Sequence, residues 1–274
     1  MDRKRLFPIL LIVFTNILGA GVILPILPLY AEGQFGGTIL QITLLSTSYF
    51  AAQFLAAPWL GRLSDRYGRR PVLIVSQIGT VLAFVLFILA VPLGQVIDSW
   101  GLALPMSGGM IMLYLARILD GITGGNITTA QAYVTDVTPE EQRAQGLGLV
   151  QAAFGAGVIV GPAFGGVLGN LGPVAPFVGA TIITVGTLLL TVFTLEESLP
   201  PEARAAGPPG IRAAGQPGIR AGGQPDAEPP AYLPRTAFLR IGPRRVVQAV
   251  GFFYSLGFAA GPATIWLYSN RVLF

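Results

Sequence analysis

The sequence predicts an all-α integral membrane protein with six crossings of a bilayer, a polar tether and one further apolar helix. Three observations carry that class. Hydrophobic residues make up 53% of the 274 and charged residues 11%, where a soluble globule carries about 25% charged; mean hydropathy is +0.67. Charge-free runs recur at lengths that suit helical crossings, each of which needs about 20 mostly apolar residues. Among the connections between those runs, only alternate ones carry Lys or Arg. A chain of this composition cannot cover itself with polar surface, so lipid is its solvent.

The spans are read as the stretches between charges. Residues 6–31, 33–61 and 71–97 are uncharged and form spans one to three. A fourth runs from about Pro105 to Thr135 and holds Arg117 and Asp120. Residues 144–195 carry no charge, too long a run for one crossing and right for two, with "NLGP" at Asn170–Pro173 as the turn between them, since Gly and Pro both stop a helix. The opening MDRKR has the look of a signal-peptide start, yet the apolar run behind it is too long and includes Pro25 and Pro28, so the first helix is expected to stay uncleaved.

Basic residues set the orientation. Arg3, Lys4 and Arg5 precede span one; Arg62, Arg66, Arg69 and Arg70 follow span two; Arg143 follows span four; and seven arginines from Arg204 to Arg245 follow span six. The connections after spans one, three and five have none. The N-terminus and the segment after span six are therefore expected in the cytoplasm. The expected organisation is a six-helix domain at 1–195, a disordered cytoplasmic linker at 196–244 and a seventh helix at 245–274. Within the linker a degenerate eight-residue repeat, "GPPGIRAA", "GQPGIRAG", "GQPDAEPP", is too poor in bulky apolar residues to fold alone. "RTAFLRIGPRR" at 235–245 suits anionic lipid headgroups.

Composition also excludes. With no cysteine and no histidine there is no disulfide framework, no thiolate metal site and no Ser-His or Cys-His nucleophile pair. No G-x-S-x-G elbow appears either, so an enzyme is not expected, and no metal or cofactor. The net charge of +4 is placed for a membrane surface and not for nucleic acid.

The charge is most concentrated in "GRLSDRYGRRP", residues 61–71, where Arg62, Asp65, Arg66, Arg69 and Arg70 fall among ten residues. Gly61 could end a helix in the left-handed conformation, Pro71 suits the first turn of the next, and Asp65 is close enough to Arg69 to pair. The pattern resembles the loop 2–3 signature of the major facilitator superfamily, G-x-L-x-D-R-x-G-R-R/K, at every position. "LARILDGITGG" (Leu115–Gly125) resembles the family's fourth-helix signature R-x-x-Q-G-x-G: Arg117 and Gly121 match, while Asp120 stands in place of Gln. "GVIVGPAFGG" (Gly157–Gly166) matches G-x-x-x-G-P-x-x-G-G, the motif of the drug:proton antiporter branch.

That resemblance implies the N-terminal six-helix bundle of the superfamily fold, built as 3+3 inverted repeats, and proton-coupled efflux of small amphipathic compounds or drugs through a bacterial inner membrane. It implies a cytoplasmic latch formed by Gly61, Asp65, Arg66, Gly68, Arg69 and Arg70 with Asp136 from "DVTPEEQRAQG". In that stretch Thr138 is expected to cap a helix, with Pro139 at its first position and Glu141 completing a capping box. Arg117, Asp120 and Asn16 of span one fall on the expected proton or substrate path, protons being the coupling ion. Arg117 and Asp120 lie on one helix face, so they can neutralise each other as a structural ion pair, and Asn16 either faces a cavity or bonds a neighbouring helix. Gly157, Gly161 and Gly165 share a face that permits close helix approach, Pro162 is expected to bend the helix, and Gly166 completes the motif. The family's second half is not seen beyond the seventh helix, so a fragment or frameshift is expected, with pairing of two copies or loss of transport as alternatives. An importer or metabolite permease is the competing activity.

Overall fold

The computed structural model describes residues 3–101, 105–124 and 126–199. The seventh helix and the linker from residue 200 onward lie outside them. Among the described residues eight helices follow in order: α1 (Arg3–Phe35), α2 (Ile39–Tyr67), α3 (Arg69–Ile88), α4 (Ala90–Ser99), α5 (Gly108–Thr123), α6 (Asn126–Val137), α7 (Arg143–Gly169) and α8 (Ala175–Thr194), with a 3₁₀ turn at Glu140–Gln142 before α7. The segments Leu6–Phe35, Ile39–Tyr67, Arg69–Ile88, Glu140–Gly169 and Ala175–Thr194 are each long and apolar enough to cross a membrane. The remaining crossing is shared by α5 and α6. The outer surface is apolar, with Trp59, Ile159 and Phe193 each more than 70% exposed, as a lipid-facing bundle requires.

Two expected spans are broken. The third divides at Leu89 into α3 and α4. Pro92 has no N–H to give the Ile88 carbonyl and its ring crowds that oxygen, so the ladder stops there. The fourth divides at Gly124, whose freed carbonyl accepts a hydrogen bond from Gln53 Nε2 at 2.9 Å; a carbonyl left bare inside lipid would cost several kcal/mol. The second span has the expected length but lies six residues further along the chain. Gly61 lies inside α2, with open space where a Cβ would be, and α2 runs on to Tyr67. Gly68 takes the positive φ instead, at +109°, leaving a one-residue turn. The capping box at Thr138 does not form: Pro139 stands at the start of the 3₁₀ turn without a side-chain cap, and Thr138 Oγ1 is buried without a hydrogen bond among the described residues.

Packing follows a rule that the chain order alone would not suggest. α1 packs chiefly on α7 and α8, α5 chiefly on α2, α3 and α4, and α3 on α8; α1 on α2, α2 on α3, α6 on α7 and α7 on α8 touch far less. Number the spans with α3–α4 as the third and α5–α6 as the fourth, then exchange the first three for the last three. Span one on five becomes four on two, one on six becomes four on three, and three on six maps onto itself. This is the contact pattern of two repeated three-span units. Two cores fill the bundle. One gathers Val22, Tyr30, Phe84, Phe87 and Phe177, with Phe87 stacked on Phe177 at 5.3 Å. The other gathers Ile9, Val13, Leu73, Tyr133 and Leu195 near the arginine-rich end.

Candidate functional site

At the arginine-rich end the turn between α2 and α3 brings Arg69 against two carboxylates. Its Nη1 donates to Asp65 Oδ1 at 2.5 Å and to Ser64 Oγ at 2.6 Å. Its Nε donates to Asp136 Oδ2 at 3.1 Å, in the last turn of α6. The i, i+4 spacing on either side of Gly68 makes the first pair local; the fold makes the second. Arg70 Nη2 donates to the Val192 carbonyl of α8 at 2.7 Å. Arg66 does not join this group: it is exposed and lies 5.5 Å from the Tyr67 ring.

Midway along the α5–α6 crossing, Arg117 Nη1 donates to Asp120 Oδ2 at 3.4 Å, with both side chains at most 5% exposed. The guanidinium is also 5.2 Å from the ring centroids of Tyr49 on α2 and Phe87 on α3. A cation between two aromatic faces is attracted by their negative quadrupoles, so rings supply part of what water would. Arg117 Nε and Nη2 have no hydrogen bond among the described residues.

The glycines of α7 meet α1. A Cβ on Gly157 would lie 2.9 Å from the Phe14 carbonyl oxygen, one on Gly161 would lie 2.8 Å from Gly21 Cα, and one on Gly165 would lie 2.7 Å from the Val22 carbonyl oxygen. Gly166 faces open space. α7 runs unbroken through Pro162. Asn16 Nδ2 is buried without a partner among the described residues, and Asn16 lines a small pocket with Ile12 and Ile17 of α1, Leu73 of α3, and Ile127 and Ala130 of α6.

Against known proteins, residues 9–273 match the sequence model of the Major Facilitator Superfamily. The chain belongs to that superfamily. Among curated relatives of this superfamily chain, "Tetracycline resistance protein, class C" of Escherichia coli is 37% identical over 74% of this chain and 48% of its own length. "Tetracycline resistance protein, class B" of the same organism is 35% identical over 69% and 43%. "Multidrug resistance protein 2" of Bacillus subtilis (strain 168) is 31% identical over 74% and 47%. The chain thus spans less than half the length of these relatives. Among solved structures, the human organic anion transporter MFSD10 (TETRAN) superposes with a TM-score of 0.60 at 23% identity, over 74% of this chain and 49% of that one, which supports the fold. The protein is a multi-pass membrane protein of the superfamily.

Several residues around the superfamily motifs escape a sequence reading. Glu197, counted with the linker, packs on the α2–α3 turn: its carboxylate accepts from the backbone N–H of Arg69 at 2.8 Å and of Arg70 at 3.2 Å. Ser198 Oγ donates to Asp136 Oδ2 at 3.1 Å. The available signal was a Glu196–Glu197 pair directly behind an apolar run. Gln53, Tyr49 and Gln77 were hidden because each lies in a long charge-free stretch among other polar side chains, and its partner comes from another helix. Gln77 exchanges hydrogen bonds with Thr191 of α8 at 2.8 and 3.0 Å.

Proposed function

We propose that the chain provides the N-terminal half of a proton-coupled efflux permease for small amphipathic compounds, tetracyclines among them, in a bacterial inner membrane, with its arginine-rich end in the cytoplasm. The observation that carries the reading is the Arg117–Asp120 pair. The other carboxylates of the described residues lie in last helical turns or connections: Glu32, Asp65, Asp98, Asp136, Glu140, Glu141, Glu196 and Glu197. Asp120 alone lies midway across. A charge there costs about 3 kcal/mol on insertion scales and more in other estimates. Arg117 offsets that cost, and a proton on Asp120 would do the same while freeing Arg117 for another partner. In this reading, exchanging the guanidinium for a proton at Asp120 is the step that couples the carrier to a proton gradient. The names of the relatives and the glycine face of α7 favour export over import. No enzymatic chemistry is assigned.

Asp65, Arg69 and Asp136 then form the latch that holds one conformation. The partner surface is the apolar side of α2 and α7, the two least covered of the long helices. These are counterparts under the repeat exchange, and they expose Phe54, Leu55, Ile159 and Val167. A second six-span half, or another copy of this chain, packs there in this reading.

The test is drug accumulation in a bacterial strain stripped of its own exporters, with the chain expressed alone and together with the C-terminal half of a tetracycline resistance relative. Expected is lowered tetracycline accumulation that a protonophore abolishes, and loss of this effect in Asp120→Asn at unchanged membrane insertion. Accumulation equal to the empty vector in both settings defeats the efflux reading; parental export by Asp120→Asn defeats the proton role.

A further inference from the structure

The sixth crossing does not simply release the chain. After Thr194 the backbone becomes extended at Leu195, with φ −84° and ψ 117°, and Leu195 is buried in the core at the arginine-rich end. Residues 196–199 then lie across the start of α3. The first N–H groups of any helix lack intrahelical partners, and that end carries partial positive charge. An ordinary helix answers with an N-cap side chain from the preceding residue. Here that residue is Gly68, with no side chain and no cap bond of its own. Glu197, 128 positions away from Arg69 in sequence, supplies the acceptor instead: Oε1 takes the Arg69 N–H and the Leu199 N–H at 2.8 and 3.0 Å, and Oε2 takes the Arg70 N–H at 3.2 Å. A Cβ on Gly68 would collide with that carboxylate. Gly68 is thus required twice, for its positive φ and for the access it leaves to Glu197.

The same strap touches the charge cluster from its other side. Ser198 donates to the Asp136 oxygen that also takes Arg69 Nε, and Arg70 reaches back to the Val192 carbonyl. Arg69 is therefore held at its backbone by Glu197 and at its side chain by Asp65 and Asp136.

We propose that Glu197 is the positioning residue of the latch: by capping α3 from the end of the sixth span, it holds Arg69 where it can straddle Asp65 and Asp136. The latch then involves α8 as well as α2, α3 and α6, and opening it requires Glu197 to leave the start of α3. The proposal rests on the efflux reading only in calling this cluster a latch.

The chain has no cysteine, so one introduced thiol reports alone. Val72 lies in the first turn of α3 and is 3% exposed; Ala90, at the start of α4, is fully buried. The full-length chain is purified in detergent as Val72→Cys or Ala90→Cys, and its rate of reaction with a hydrophilic maleimide is measured. Glu197→Ala removes a charged acceptor from two helix N–H groups and is expected to speed labelling at position 72 about tenfold or more. Glu197→Gln keeps one acceptor oxygen and falls between, and it carries the comparison should the alanine variant not reach the membrane. Position 90 stays at the parental rate. Adding Asp136→Asn to Glu197→Ala yields little further acceleration, because both act on one latch. An unchanged rate at position 72, or equal acceleration at positions 72 and 90, overturns the proposal, the second because it signals general loosening. No transport enters this readout, so a chain that exports nothing sinks the efflux reading and leaves the cap standing.

Discussion

Two glycines of one motif should respond differently to the same added methyl group. Gly161 and Gly166 both lie in α7, and replacing either by alanine gains about 1 kcal/mol of helix propensity. That gain is common and cancels in the comparison. The steric consequences differ. A Cβ at Gly161 would lie 2.8 Å from Gly21 Cα, 2.9 Å from Gly21 C and 2.9 Å from the Leu18 carbonyl oxygen. All three are backbone atoms of α1, so no side chain can rotate away and the two helices must separate by several tenths of an ångström along their crossing. Overpacking of this kind costs about 1–3 kcal/mol. At Gly166 nothing lies within 4 Å of the added carbon. Gly161→Ala should therefore be less stable than Gly166→Ala by about 1–3 kcal/mol, with Gly166→Ala at or above the parent. The assay is reversible unfolding of the purified chain in mixed micelles, followed by tryptophan fluorescence, with both variants and parent in one series. Equal midpoints for the two variants would show that α1 and α7 do not meet at Gly161 as described, and the close-approach reading of the α7 motif would go with them.

Gln53→Leu removes the donor to the Gly124 carbonyl and should lower stability by about 1–3 kcal/mol, read in the same unfolding series; an unmoved midpoint would mean that another donor serves the break between α5 and α6. Arg117→Leu leaves Asp120 buried without its ion-pair partner and should cost about 3–5 kcal/mol, whereas Arg117→Leu with Asp120→Leu should recover most of that loss. A double variant less stable than either single one would show that the pair itself is a net source of stability.

The crossings were legible because lipid excludes charge so strongly that charge-free runs mark them, and the turn at Asn170–Pro173 was legible because Gly and Pro leave a helix little choice. What escaped was backbone state inside an apolar run. Hydropathy is blind to the interruption at Leu89, for which Pro92 was the available sign, and to that at Gly124, whose carbonyl is tolerated only because Gln53 arrives from another helix. The motif around the α2–α3 turn offers two glycines. Gly61 has room for a Cβ; Gly68 is constrained by Glu197, a residue far along the chain, and no local rule could choose between them. Thr138 fails as a cap for a similar reason: the chain enters α7 through a 3₁₀ turn, and that geometry belongs to the packing of α6 and α7. Arg117 and Asp120 could be paired from their spacing, but the rings of Tyr49 and Phe87 come from two other helices.

Glycine placement explains why the internal repeat is plain in the packing and invisible in the residues. Span one crosses span five with Gly21 against Gly161. The counterpart crossing, span four on span two, brings Gly121 against the Tyr49 carbonyl oxygen and Ala52 Cβ. Each crossing needs one residue without a side chain so that two backbones can touch, and beyond that the repeat constrains little. At the first crossing Gly161 meets Gly21, while Gly157 meets Ile17 and Gly165 meets Val22, so these contacts bring in no polar side chain. At the second the partner is Tyr49, and the approach that seats its backbone on Gly121 also leaves its ring 5.2 Å from Arg117. The duplicated architecture thus fixes where helices meet, and the crossing that seats Tyr49 on Gly121 is also the one that holds the buried charge.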